Sequence, residues 1–254
     1  MGGLTVFREL ISRLPGEDII YLGDTARVPY GTRTPETVIR YSFQNSSFLV
    51  KKGIKALVVA CNTASAVAID DLKSRLSVPV IGVIEPGARA AARMSAGGKV
   101  GIIGTEATIN SGSYQRTMRE IMPDADIVSK PCPLFVPLVE EGWTSGKITL
   151  SVIREYLNTM KRRKVDTLVL GCTHYPLLKE AISEYMGDDT VLIDSAVEVA
   201  KEVRKQLRAS GLLREGKKKG KYAFFVTDSV DKFRVIGGMF LGRPISNIEH
   251  VDIA

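Results

Sequence analysis

The feature that most constrains this chain is a rhythm. Short, continuous runs of Val, Ile and Leu alternate with longer amphipathic stretches. The runs are Ile19 to Leu22, Ala56 to Ala60, Val78 to Val83, Val100 to Ile103, Thr167 to Leu170, Val191 to Ile193 and Tyr222 to Val226. Most are apolar throughout and do not alternate strictly. That is the pattern of strands covered on both faces, hence of parallel sheets. Between them, Leu4, Phe7, Leu10, Ile11 and Leu14 keep helical spacing until Pro15-Gly16 ends the run. Pro35 to Lys51, Ala88 to Met94 and Ser151 to Arg163 read as further helices. The alternation predicts an α/β architecture.

Length allows two such units. With 254 residues, the chain is long enough for one large domain or two small ones. Glu85-Pro86-Gly87 and Gly97-Gly98-Lys99 bracket an Ala-rich helix, which places a first crossover near residues 84–98. A second falls near Asp194. The expected division is a discontinuous first domain, 1–84 plus 195–254, and a second domain, 85–194.

Composition narrows the class. Apolar residues make up 44% and charged residues 25%, which excludes collagen-like, coiled-coil and disordered chains. The longest uncharged apolar stretches, such as Val78 to Ile84, are too short to span a bilayer. Arg8 and Glu9 break any secretory signal at the start, and Val6 fails the myristoylation pattern. The net charge of +7 is modest, and its clearest cluster, Lys217 to Lys221, reads as a solvated turn before a strand. No direct nucleic-acid or membrane partner is expected. Three cysteines without a secretory signal indicate reduced thiols and a cytoplasmic protein. With two histidines and no CxxC pair, no metal site is expected.

Two matching segments carry the chemistry. One is Leu57-Val58-Val59-Ala60-Cys61-Asn62-Thr63-Ala64-Ser65, the other Leu168-Val169-Leu170-Gly171-Cys172-Thr173-His174-Tyr175-Pro176. Each is an apolar strand, one small residue, a cysteine and then polar residues suited to capping a helix. Thr63 or Ser65, and Thr173, are the expected N-caps. Both thiols therefore stand at carboxyl ends of strands, where open α/β sheets bind ligands. A helix N-terminus there favours thiolate over thiol. Two equivalent thiols suit inversion at a carbon centre. One base removes a proton on one face and a second group returns one on the other, with roles exchanged in the reverse direction. A Cys–His nucleophile and a zinc site sharing Cys61, Cys172 and His174 are the competing readings. Cys132, between two prolines, reads as structural.

At these residues the sequence resembles the glutamate racemases of the aspartate/glutamate racemase superfamily. The landmarks are Leu22-Gly23-Asp24-Thr25-Ala26-Arg27-Val28-Pro29-Tyr30-Gly31, Ala60 to Ser65, Ile103-Gly104-Thr105-Glu106-Ala107-Thr108 and Gly171 to Pro176. The resemblance implies two pseudo-symmetric, doubly wound parallel-sheet domains with the active site in the cleft between them. It implies a cofactor-independent enzyme that interconverts L- and D-glutamate and supplies D-glutamate for bacterial peptidoglycan. By the same resemblance Cys61 and Cys172 are the acid/base pair, Cys61 serving D-glutamate and Cys172 serving L-glutamate. His174 assists its neighbouring thiol, and Tyr30, Gly31, Asn62, Thr63, Thr173 and His174 hold the substrate. Thr105 and Thr108 are further contacts, and a homodimer is the expected assembly. No Lys sits in either cysteine motif to form a pyridoxal phosphate Schiff base.

The start of the chain departs from the pattern. The family precedes Gly2 to Val6 with a strand and an Asp-Ser-Gly turn, and neither stands here. Gly2-Gly3 followed at once by a helix also reads, from the residues alone, as the exit of a strand-to-helix turn. The expectation is a first domain lacking one strand, with weaker proton transfer at Cys61. Two further readings stay open beside the glutamate racemase: a catalytically impaired amino-acid-binding or regulatory protein of the same fold, and a racemase for aspartate.

Overall fold

Helical spacing at the start of the chain becomes α1 (Leu4–Arg13), which buries Leu4, Val6, Phe7 and Leu10. In the computed structural model, which describes residues 1–216 and 218–253, the chain continues through β1 (Ile19–Gly23), α2 (Pro35–Lys51), β2 (Leu57–Val59), α3 (Asn62–Val67), α4 (Ile69–Arg75) and β3 (Val80–Gly82). Next come α5 (Ile84–Met94), β4 (Lys99–Gly104), α6 (Glu106–Asn110), α7 (Ser113–Ile121), β5 (Asp126–Pro131), α8 (Phe135–Glu140) and α9 (Lys147–Arg162). Then follow β6 (Thr167–Gly171), a 3-10 turn (Tyr175–Leu178), α10 (Lys179–Met186), β7 (Val191–Asp194), α11 (Ser195–Ala209), β8 (Tyr222–Val226), α12 (Val230–Leu241) and β9 (Ile248–His250).

Every strand pairing among the described residues is parallel. One sheet has the order β5-β4-β6-β7, a second β1-β8-β9, and β2 pairs with β3 alone. The fold is the α/β, parallel-sheet architecture that the apolar runs predict. Strand β6 shows why those runs are apolar throughout. It is flanked by β4 and β7, and all five of its residues, Thr167 to Gly171, are buried.

Four local expectations are corrected. Strand β5 is absent from the apolar runs because it lies at the sheet edge. Its Asp126 and Lys130 are exposed there, and its sequence is accordingly mixed. The same holds for the short edge strand β9, with Glu249 and His250 exposed. Helix α5 begins at Ile84, four residues before Ala88, so Glu85-Pro86-Gly87 is its first turn and not a turn ahead of it. Proline is tolerated there because its missing N–H would have no intrahelical partner. Helix α9 likewise begins at Lys147, ahead of Ser151. The buried hydroxyl of Thr149 donates to the Trp143 and Ser145 carbonyls, 3.0 and 3.1 Å away, and secures the entry.

Of the lysine run, Lys217 lies outside the described residues. Lys218, Lys219 and Lys221 are exposed, and the Lys221 N–H donates to Asp18 Oδ1 at 2.7 Å, so the turn before β8 is tied to the α1–β1 loop. Among the described residues no helix is long and apolar enough to cross a membrane.

Helix α1 fastens two layers. Phe7 meets Tyr21 of β1 and Phe224 of β8 at ring-centroid distances of 5.9 and 5.1 Å. Leu4, 0% exposed, reaches α12, where a Cβ added to Gly237 would stand 3.0 Å from Leu4 Cδ1. Leu4→Ala removes that plug and leaves a cavity, so urea denaturation should show a loss of about 2–5 kcal/mol. A loss below about 1 kcal/mol would mean that α12 collapses onto α1 without cost.

Candidate active site

Cys61 stands at the N-cap of α3, two residues past β2, with extended backbone (φ −70°, ψ 123°). Cys172 directly follows β6 and is 6% exposed. Both line one cavity of about 760 Å³. Tyr30, Gly31, Asn62, Thr63, Thr105, Thr173 and His174 line it as well. Thr108 is not on its wall but stands behind it, 3.2 Å from the Thr63 hydroxyl.

The walls are joined by buried hydrogen bonds. Thr63 Oγ1 lies 3.0 Å from Thr105 Oγ1, which lies 3.0 Å from Thr108 Oγ1, so α3 and α6 share a threonine cluster. Tyr114 of α7 donates its hydroxyl to Asn62 Oδ1 at 2.7 Å. The Asn62 Nδ2 is buried without an acceptor among the described residues, a spare donor at the base of Cys61. Thr5 of α1 donates to the Thr173 carbonyl at 3.2 Å. Two glycines let backbone approach these groups. A Cβ on Gly2 would fall 2.3 Å from Thr173 Oγ1 and 2.6 Å from His174 Nδ1, and one on Gly31 2.7 Å from Thr105 Cβ.

The capping expectation is corrected. The α3 cap is Cys61 itself, and Thr63 and Ser65 lie inside the helix. Ser65 is drawn inward to donate to the Val59 carbonyl at 2.8 Å, while Thr63 is taken by the threonine cluster. After Cys172 the chain makes the 3-10 turn, with His174 and not Thr173 at its N-cap.

His174 is held between a thiol and a carboxylate. Its Nδ1 lies 3.8 Å from Cys172 Sγ, and its Nε2 lies 3.1 Å from Glu140 Oε1 at the end of α8. Burial pushes the His174 pKa below its ordinary value, while Glu140 pulls it back up. The hydrogen bond from His174 holds the Glu140 carboxyl below the usual carboxylate range against a burial penalty.

The thiols do not follow the expectation of a helix-stabilised thiolate. Burial pushes Cys61 up, and the N–H groups of Ala64 and Thr63 with the Thr63 hydroxyl offset only part of that. Burial pushes Cys172 up to about 12, the His174 N–H again opposing, and a negative Cys61 would raise it further. Helix α3 spans only six residues, Asn62–Val67, and its few oriented N–H groups are outweighed by desolvation.

A second polar cluster flanks Tyr30. Burial raises the Asp24 pKa, but hydrogen bonds from Arg27, Tyr30 and Asn45 outweigh it and hold the carboxyl low. Tyr30 donates to Asp24, and Asn45 Nδ2 lies 3.1 Å from the Tyr30 hydroxyl. Among the described residues no three His, Cys, Asp or Glu side chains gather as a metal ion would require.

A family model described as Asp/Glu/Hydantoin racemase matches residues 2–203, a span that holds both cysteine turns. The chain belongs to this racemase family. It is an isomerase by that membership. The glutamate racemase of Geobacter metallireducens is 52% identical over 253 residues, spanning 100% of this chain and 94% of the relative. That of Bacillus cereus is 44% identical over 251 residues, spanning 99% and 93%. Among solved structures, a glutamate racemase of Bacillus anthracis superposes with a TM-score of 0.95 at 41% identity, covering 99% of this chain and 94% of the other. One of Francisella tularensis in complex with D-glutamate gives 0.92 at 40% identity, with 99% and 94% covered.

Sequence reasoning missed two members of this racemase's site region. Asp24 follows Gly23 at the carboxyl end of β1, so the strand-end rule that found the cysteines would also have found it. Glu140 lies 34 residues from His174 with no periodicity or motif to join them, and only the fold brings them together. Glu140→Gln keeps the size and removes the charge. Because Glu140 raises the His174 pKa, the variant should titrate at lower pH, as read from the His174 ring resonance by NMR. An unchanged titration would show that the carboxylate does not act on the ring.

Proposed function

We propose that this racemase interconverts L- and D-glutamate without a cofactor, by two-base proton transfer between Cα and the thiols of Cys61 and Cys172. The observation that carries this reading is the placement of the two cysteines. Each ends a parallel strand and both face one cavity, Cys61 beside Asn62 and Thr63 and Cys172 beside Thr173 and His174. The relatives named glutamate racemase support the substrate, as does the D-glutamate bound by the Francisella protein.

The electrostatics suit a pair that holds one charge. A negative Cys61 raises the Cys172 pKa, so ionising one thiol keeps the other protonated. One then accepts the Cα proton and the other donates to the opposite face. Once the proton has moved, the roles are exchanged for the reverse reaction. The α-ammonium of an amino acid entering the cavity offsets the burial penalty on the thiolate. In this reading Cys61 acts on D-glutamate and Cys172 on L-glutamate. Asn62, with its spare Nδ2 donor, Thr63, Thr173, Tyr30 and Gly31 position the two carboxylates. His174, backed by Glu140, tunes Cys172. The product serves bacterial peptidoglycan, and the protein works in the cytoplasm as a homodimer, as its resemblance to the glutamate racemases implies.

Incubation of each glutamate enantiomer in deuterated water tests the reading, with Cα exchange and optical rotation followed together. Both enantiomers should exchange and the rotation should decay to zero. Cys61→Ala and Cys172→Ala should each slow racemisation at least about 100-fold, the scale of a lost general acid or base. No exchange with either enantiomer by the folded protein would sink the enzyme reading and favour an amino-acid-binding role. Exchange with aspartate alone would move the substrate. Because burial raises both thiols in the free protein, kcat/KM should climb as the pH rises from neutral into the alkaline range. A flat profile there would contradict a thiol base.

A further inference from the structure

Tyr114, near the start of α7, is 0% exposed and is not on the cavity wall. Its two ends meet the two cysteine turns. The hydroxyl donates at 2.7 Å to Oδ1 of Asn62, the residue after Cys61. The ring edge packs against Gly171, the residue before Cys172, where an added Cβ would stand 3.1 Å from Tyr114 Cε2. Gly87 of α5 makes room for the phenol on a third side. A Cβ there would come within 3.4 Å of Tyr114 Oη and 3.2 Å of Ser195 Cβ. One buried side chain thus spans the two segments that carry the thiols.

The phenol decides which end of the Asn62 amide is left over. With Oδ1 taken by the Tyr114 hydroxyl, the free end is Nδ2, which is buried without an acceptor among the described residues. Asn62 lines the cavity and is 2% exposed, so an anion entering the cavity is what could satisfy that donor. A reversed amide would turn Oδ1 toward the anion and repel it. The phenol would then have to accept from Nδ2 and send its own proton elsewhere. Burial pushes the Tyr114 pKa up, so the phenol keeps its proton and stays a donor.

We propose that Tyr114 is a positioning residue for racemisation: its hydroxyl locks the Asn62 amide with Nδ2 toward a substrate carboxylate, and its ring spaces the Cys61 turn from Gly171 and Cys172. This role rests on the two-thiol reading given above and divides between the two ends of the side chain. The hydroxyl acts on binding. Without it the amide is free to reverse, and both enantiomers lose the same donor, because that donor meets a carboxylate and not the Cα proton. The ring acts on the distance between the thiols, and it survives the loss of the hydroxyl.

Tyr114→Phe tests this on the intact protein. It should raise KM for L- and D-glutamate together by about 10–100-fold, the scale of a hydrogen bond to a charged group, with kcat within about threefold of the unaltered enzyme. Calorimetry with racemic glutamate, where no net reaction runs, should show Kd rising in step. In an Asn62→Ala background the same substitution should change KM no further, because it acts through that amide. A purely structural tyrosine would lower Tm and leave KM alone. Unchanged KM and Kd in Tyr114→Phe would overturn the proposal, as would a full effect in the Asn62→Ala background. The unaltered protein gives a second reading by NMR. The Asn62 Nδ2 hydrogens should shift on saturation with glutamate, and unmoved resonances would overturn the proposal even where the variant fails to fold. Failure of the unaltered protein to exchange Cα hydrogen is a different result. It strikes the racemase reading, while the calorimetry still reports what the hydroxyl does for binding.

Discussion

The proposed action of two thiols on one carbon requires that the parts of the chain carrying them hold a fixed distance, and hydrogen bonds between elements tie those parts together here. The Thr63–Thr105–Thr108 cluster joins α3 to α6. The Tyr114–Asn62 bond joins α3 to α7. Thr5 ties α1 to the residue after Cys172. Each bond lies in a region of low dielectric, where breaking it would leave a desolvated donor or acceptor at a cost of about 1–3 kcal/mol. The backbone that carries Cys61 is therefore anchored to the elements that follow β4, beside the strand that carries Cys172.

Those anchors also set the electrostatics. Groups that fix the cysteines also bury them, and burial favours the neutral thiol over the thiolate. Oriented N–H groups from α3 and from the turn after β6 oppose this without reversing it. The proton transfer proposed above gains from that balance, because neither thiol is trapped as a stable anion. Glu140 and His174 extend the same logic outward. The carboxylate moderates the burial penalty on the imidazole, whose other nitrogen faces Cys172.

Legibility in the sequence follows burial. Strands enclosed on both faces, such as β4 and β6, announce themselves as unbroken apolar runs, and Cys172 at the end of β6 is readable by position. Edge strands β5 and β9 carry exposed charges and lose that signature. Helix starts that depend on one side chain reaching a distant carbonyl, as Thr149 does, have no local pattern. Long-range pairs such as Glu140 with His174 are invisible for the same reason. The helix N-terminus beside Cys61 can be read from residue order, whereas the depth of burial that opposes it around a six-residue helix cannot.

The break between β1 and β2 is where fold and chemistry meet. A parallel sheet derives its rigidity from ladders on both edges of its inner strands, yet β2 is a three-residue strand supported on one edge by β3. Cys61 hangs two residues beyond it and inherits whatever freedom β2 has. The Glu17–Lys55 pair joins the residues ahead of the two strands, and Gly3 lies against Ala60 and the Tyr21 ring. The two thiols thus stand on supports paired differently, Cys61 after a strand paired on one edge and Cys172 after a strand paired on both.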